Sequence, residues 1–320
     1  MKTNTTQILG GLLSLLLLLI TNTITAQATS KAINETSKKE TLFDEQALFK
    51  RLRELSSESY EGRRTGEKGA ELARAFIALT FNELIENPLY LSSSSRTFGF
   101  KIKEKEYKGE NVIAGIKGTD FPEKYIVISA HYDHLGVKDG KIYNGADDNA
   151  SGVCALFAFA EYFKKNPPKH SVILAAFDAE EFGLQGAKHF VKEPPVKKED
   201  IILNINMDMI GRNVNKELYV VGTRYNKELK NILKTFNNTS EIKLLEGHDG
   251  SDKKQNWTYA SDHGPFHKEK IPFLYFGEED HPDYHKHTDD FHKIDPMFYL
   301  NAVEVIIAVF DDVDKEFIVK

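Results

Sequence analysis

The stretch Tyr125–His134, YIVISAHYDH, decides how the chain is read. Its first six residues form a short apolar run rich in β-branched side chains, the signature of a strand. The run ends abruptly in His131-Tyr132-Asp133-His134. In an extended segment His131 and Asp133 project to the same side. A carboxylate beside an imidazole fixes its tautomer and ring orientation, as it does beside a metal-bound histidine. A strand end capped by solvated polar residues is the other reading of these four positions.

Outward from this stretch the rhythm repeats. Asn111–Ile116, Ser171–Phe177, Ile201–Met207, Leu218–Val221 and Pro272–Phe276 read as strands. Gly152–Lys165, Gly183–Lys192, Lys227–Phe236 and Pro296–Asp311 read as helices, after two earlier helical patterns starting near Thr41 and Gly66. Strands alternating with helices predict a three-layer α/β/α sandwich with a central mixed, largely parallel sheet. There is no internal repeat and no long linker, so residues 41–320 are expected to form one domain. In such sheets ligand sites lie beyond the carboxyl ends of the strands. Functional side chains should therefore follow the apolar runs directly.

They do. Asn144–Gly152, NGADDNASG, places Asp147 and Asp148 before a very apolar helix. Adjacent carboxylates there need compensation, from a cation or from the helix N-terminus. Helix capping accounts for one of these residues but not for the cluster. The run ending at Phe177 leads into Asp178-Ala179-Glu180-Glu181. Paired glutamates at a strand end suit a division of labour, one binding metal and one moving a proton, although acidic residues also favour helix starts. Asp208 closes the run Ile201–Met207, where a lone carboxylate is costly without a partner. Tyr284-His285 adds an imidazole, with Asp289 four residues on. Oxygen and nitrogen ligands of this kind fit zinc, and no sulfur is required.

Composition sets the outer bounds. The 320 residues are 41% hydrophobic and 28% charged, an ordinary globular balance. The net charge of -6 offers no basic patch and argues against a nucleic-acid partner. Cys154 is the only cysteine, which excludes an intramolecular disulfide and a multi-thiolate metal site. Lys2, the apolar run Ile8–Ile20 and the small-residue stretch Thr25–Ala28 have the layout of a secretory signal peptide, assigned to residues 1–26. An uncleaved anchor is the alternative, and the run is short for a membrane span. Residues 27–40, polar and rich in Thr, Ser and Lys, read as a flexible lead-in. The mature protein is expected to be exported, with no other contact with a membrane.

Six motifs together resemble the co-catalytic di-zinc exopeptidases, the family of secreted bacterial and yeast aminopeptidases and glutamate carboxypeptidases. They are AHYDHLG (130–136), NGADDNASG (144–152), DAEEFGLQG (178–186), NMDMIG (206–211), SDHGPF (261–266) and YHKHTDD (284–290). SSESYEGRRTGEKG (56–69) is similar to the family's N-terminal segment, so the resemblance covers the chain from about Leu55 onward. It implies two zinc ions per chain. His131 and Asp208 would share one, Glu181 and His285 the other, and Asp148 would bridge both. Asp133 would orient His131, and Glu180 would be the general base. The family often has a cis peptide after the bridging aspartate. His287 is the fallback for His285, while His281, His287 and His292 otherwise read as surface loop histidines.

The reaction implied is hydrolysis of a terminal peptide bond in a peptide substrate, with Tyr284 a candidate donor to the oxyanion. An aminopeptidase is the favoured direction. A carboxypeptidase using Arg212 and nearby lysines, or a glutaminyl cyclase-like acyltransferase, is the alternative.

Overall fold

The computed structural model describes residues 41–86, 96–251, 253 and 255–317. The signal peptide and lead-in assigned to residues 1–40 lie outside them. In chain order the strands are β1 (Arg96–Ile102), β2 (Lys105–Ile116), β3 (Phe121–His131), β4 (Gly136–Lys138), β5 (Lys141–Tyr143), β6 (His170–Phe177), β7 (Ile201–Met207), β8 (Glu217–Val221), β9 (Lys243–Glu246) and β10 (Phe273–Gly277). The helices are α1 (Glu45–Leu55), α2 (Lys68–Leu84), α3 (Gly152–Lys165), α4 (Gln185–Lys192), α5 (Lys227–Thr235), α6 (His263–Lys268) and α7 (Pro296–Glu316).

Eight strands make one sheet in the order β1-β2-β6-β3-β7-β10-β8-β9, and β4 and β5 form a separate hairpin. The centre is parallel: β3 pairs in parallel with both β6 and β7, and β7 with β10. Antiparallel pairing enters at β1/β2, β2/β6 and β8/β10. This is the mixed, largely parallel sheet expected from the sequence.

Strand period divides the core into two layers. From β3 and β6, Ile126, Ile128, Val172 and Leu174 face one way and pack with α1, α2, α3, α5 and α7. Their neighbours Val127, Ile173 and Ala175 face the other way, toward Ala187, Phe190 and Val191 of α4 and Phe266 of α6. Burial on both faces is why these strands read as unbroken apolar runs.

Element ends differ where local chemistry intervenes. The first helix starts at Glu45 rather than near Thr41, because the Asp44 side chain accepts from the Ala47 amide at 2.9 Å and caps it. The fourth starts at Gln185 rather than Gly183, since Gly183 and Leu184 are both left-handed (φ 84° and 62°). The last helix continues past Asp311 to Glu316.

Candidate metal centre

Four parallel strands deliver the site from their carboxyl ends. His131 is the last residue of β3, Glu180 and Glu181 follow β6, Asp208 follows β7, and Glu278 and the loop carrying His285 follow β10. Asp148 lies in the turn Ala146–Ser151 that leads into α3, where the backbone is non-helical at Asp148 and Asn149 and the peptide between them is cis. At the start of α3, Asn149 Oδ1 accepts from the Gly152 amide at 3.0 Å. Ala179, Met209 and His285 all adopt positive φ (58°, 57° and 54°). At residues other than glycine this conformation stores backbone strain, which functional sites commonly hold.

The five residues that the motifs single out converge. His131 Nε2 stands 3.2 Å from Asp148 Oδ1 and 3.3 Å from Asp208 Oδ1. On the other side of the same carboxylate, His285 Nε2 is 3.2 Å from Asp148 Oδ2 and 3.4 Å from Glu181 Oε2. Donors held about 2.0–2.1 Å from a zinc at tetrahedral angles stand roughly 3.3–3.4 Å apart. Both groups have that spacing. Asp148 Oδ2 and Glu181 Oε1 are also buried without any hydrogen-bond partner, a costly state unless a cation meets them. The donor set therefore fits two zinc ions with Asp148 between them.

The electrostatics point the same way. Burial works against a protonated His131, yet the carboxylates of Asp208 and Glu180 outweigh it and hold His131 well above the usual imidazole range. Burial would raise Asp148, but the imidazoles of His134, His131 and His285 keep it well below the usual carboxylate range. Glu181 is drawn down to about 2, against burial, by His134 and His285. Glu180 is different: burial and the charges of Asp208 and Asp262 push it well above the ordinary range despite His131. Asp262 is itself fully buried with neither oxygen hydrogen-bonded. Excess negative charge of this kind calls for cations.

Asp133 flanks His131 with both its carbonyl and its carboxylate. His131 Nδ1 is 3.1 Å from the Asp133 backbone carbonyl and 3.7 Å from its carboxylate. The carboxylate also accepts from the amides of Glu180 (2.9 Å) and Glu181 (3.3 Å), so it fixes the loop that carries both glutamates. Thr65 links this carboxylate to Asp178. Tyr284 stacks on His285, ring centroids 4.0 Å apart, and lines a cavity that also borders His131, Asp148, Glu180 and Asp208.

His281 is not the surface histidine the sequence suggested. Its Nδ1 accepts from the Asp283 amide at 3.1 Å, which places the proton on Nε2, 3.1 Å from Asp147 Oδ2. Burial and the charge of Asp147 raise Glu278 well above the usual range. His281, Asp147 and Glu278 form a third acidic group. With Nε2 of His281 donating, they make a hydrogen-bonded brace rather than a set of free ligands. His287 lies apart, 3.1 Å from Lys141 Nζ.

Two residues escaped the sequence reading. Arg63 is fully buried and donates to the carbonyls of Leu55, Tyr132, Asn144 and Gly145, stapling the β3 end to the Asp148 turn. His134 is fully buried beside Asp148 and Glu181. The only signals were the paired arginines in Gly62-Arg63-Arg64 and a second histidine in the β3 motif.

The chain is 31% identical over 220 residues to aminopeptidase YwaD of Bacillus subtilis (strain 168), covering 65% of this chain and 45% of that protein. It spans less than half the length of the curated relatives it matches. Among solved structures, the zinc aminopeptidase BSAP from Bacillus subtilis superposes with a TM-score of 0.63 at 18% identity, over 84% of this chain and 95% of that one. Porphyromonas gingivalis glutaminyl cyclase gives a TM-score of 0.65 at 18% identity, over 84% and 98%. These two likenesses establish the fold. The sequence match to peptidase family M28 runs over residues 111–310, and the chain belongs to that family.

Proposed function

We propose that the protein is a di-zinc exopeptidase that removes residues from the amino terminus of peptides. The observation that carries the direction is the charge of the cavity over the centre. It measures about 100 Å³ and is bounded by His131, Asp148, Glu180, Asp208, Tyr284 and His285, with Glu278 and Asp280 adding further carboxyl groups. Among the described residues lining it there is no lysine or arginine. Arg212, the cation a carboxypeptidase would need, is committed to Asp283 at 2.7 Å. A free α-amine suits such a cavity, and a terminal carboxylate does not. Trp257, Ala260 and Tyr275 supply its less polar wall.

His131, Asp148, Glu181, Asp208 and His285 would hold the zinc, which would supply a Lewis acid for the scissile carbonyl and acidify the attacking water. Glu180 lines the cavity without being needed as a ligand, and its raised proton affinity suits it to take a proton from water and release it to the leaving amine. Tyr284 lines the cavity, burial keeps its hydroxyl protonated, and in this reading it would donate to the developing oxyanion. Export belongs to the same reading and is supported by the sequence around Lys2 and Ile8–Ile20. N-terminal sequencing of the protein recovered outside the cytoplasm tests it.

The decisive experiment is a panel of amino-acid arylamides and amino-blocked peptides, assayed with and without a chelator, alongside a test for pyroglutamate formation. Chelator-sensitive cleavage of unblocked substrates alone is expected. Cleavage of amino-blocked peptides from the carboxyl end would overturn the direction, and pyroglutamate formation without hydrolysis would overturn the reaction.

A further inference from the structure

The two halves of the centre are not equal. Around the first, His131, Asp148 and Asp208 offer three donors and border the open cavity. Around the second, the buried donors that face one another are His134, Asp148 and Glu181, with His285 reaching in from the exposed side. His134 Nδ1 lies 2.9 Å from Glu181 Oε1 and 3.7 Å from Asp148 Oδ2. Despite that proximity, neither His134 Nδ1 nor Glu181 Oε1 nor Asp148 Oδ2 completes a hydrogen bond.

The His134 side chain is fully buried, and its Nε2 is likewise unpartnered. An imidazole sealed from water with no hydrogen bond completed at either nitrogen is costly to bury. The ring is held there by close packing: a Cβ on Gly145, which has φ +54°, would lie 2.6 Å from its Cγ and Cδ2. The backbone of His134 is tied too, its amide donating to the Arg63 carbonyl at 3.2 Å. His134 is absent from the cavity lining, so it has no route to substrate. What remains within reach of Nδ1 is the point at which the orphaned oxygens of Asp148 and Glu181 also aim.

The geometry points to His134, through Nδ1, as a fourth protein ligand of the second zinc, beside Asp148, Glu181 and His285. This rests on the two-zinc reading given above. It makes the second position closed and the first, with three protein donors, the one that keeps an open coordination site. The open site then falls where the cavity and Glu180 are.

Zinc and cobalt titrations of the full chain test this, using His134→Phe, which keeps a buried ring but removes both nitrogens, and His134→Asn, which keeps a donor atom near the Nδ1 position. Metal-free wild type is expected to take up two zinc equivalents against a competing chelator. His134→Phe should keep the first and bind the second at least ~10-fold more weakly, with His134→Asn between. In the cobalt-loaded protein, the second equivalent should give the intense visible bands of a four-coordinate ion in wild type and weaker bands in His134→Phe. Independently of any variant, zinc loading of wild type containing 15N-histidine should shift three imidazoles, one through Nδ1 and two through Nε2.

Two equivalents bound by His134→Phe with wild-type affinity and spectrum would overturn the assignment, as would zinc-induced shifts confined to Nε2 atoms. A wild type that binds no zinc would instead overturn the two-zinc reading itself, so the two failures are distinguishable.

Discussion

The Asp289 carboxylate accepts the backbone amide of Asp148 at 3.0 Å, across 141 residues of sequence. The same carboxylate takes the Asp147 amide at 3.1 Å through each oxygen. The loop that presents His285 thereby also fixes the carboxylate placed between the two metal positions. Removing Asp289 leaves two buried donors unpaired, at a cost of about 1–3 kcal/mol each. Urea unfolding of metal-free Asp289→Ala should show that loss against metal-free wild type, and Asp289→Asn, which retains one acceptor, should lose less. An unchanged midpoint for Asp289→Ala would mean that these amides find other partners.

His285 and His287 are two residues apart and have different surroundings. His285 faces Asp148 and Glu181, whereas His287 approaches Lys141 and packs edge-on to Tyr143. His285→Ala should therefore lower zinc content by about one equivalent while His287→Ala leaves it unchanged. Elemental analysis of the two purified variants decides it, and the reverse order would move the ligand to His287.

Arg63 is the largest fully buried side chain among the described residues. Burial lowers its guanidinium to about 10, while Asp289, Asp148 and Asp133 favour its charge. It is therefore charged at neutral pH, and its donors join the β3 end to the turn at Asn144 and Gly145. Arg63→Ala should cost about 3–5 kcal/mol of stability, the range for breaking a buried charged network. Arg63→Lys should recover only part of it, because an ammonium cannot serve carbonyls spread over a guanidinium's fork. Equal stability of the lysine variant and wild type would show that charge alone suffices.

Cys154 sits in the apolar face of α3, and burial raises its thiol to about 12. Its reactive thiolate is scarce at pH 8 for that reason as well as for lack of access. A thiol reagent should label native protein negligibly at pH 8 and label one equivalent after denaturation. Fast labelling of native protein would show that α3 opens readily.

The central sheet was legible because β3, β6 and β7 are buried on both faces and leave unbroken apolar runs, each leading within three residues to a residue of the centre. The edge strands were not: β1 alternates Thr97 and Gly99 with Phe98 and Phe100, and β9 is a four-residue strand of mixed exposure. His131, Asp148, Glu181, Asp208 and His285 were legible as a set through their motifs, and the structure brings them together. Arg63 was not, because its importance comes from carbonyls on three separate segments. His281 and His134 were misread or missed for a related reason. Whether a loop histidine is solvated or buried against Asp147 or Glu181 is set by tertiary packing, which the local sequence does not encode.

Glu180 and Glu181 are adjacent in sequence and oppositely placed in chemistry. Glu181 faces His134 and His285 and is held low, as a ligand should be. Glu180 lines the cavity and is pushed high, as a proton carrier should be. Glu180→Gln keeps the size and hydrogen-bonding capacity of the side chain but removes its proton affinity. Turnover should fall by roughly 10²–10⁴ while zinc content and the unfolding midpoint stay at wild-type values. Glu181→Gln should instead weaken zinc binding, because a neutral amide replaces an anionic donor. The pair separates the two roles. Loss of zinc from Glu180→Gln would make Glu180 a ligand, and retained turnover with full zinc would place the proton transfer on another group facing the same cavity.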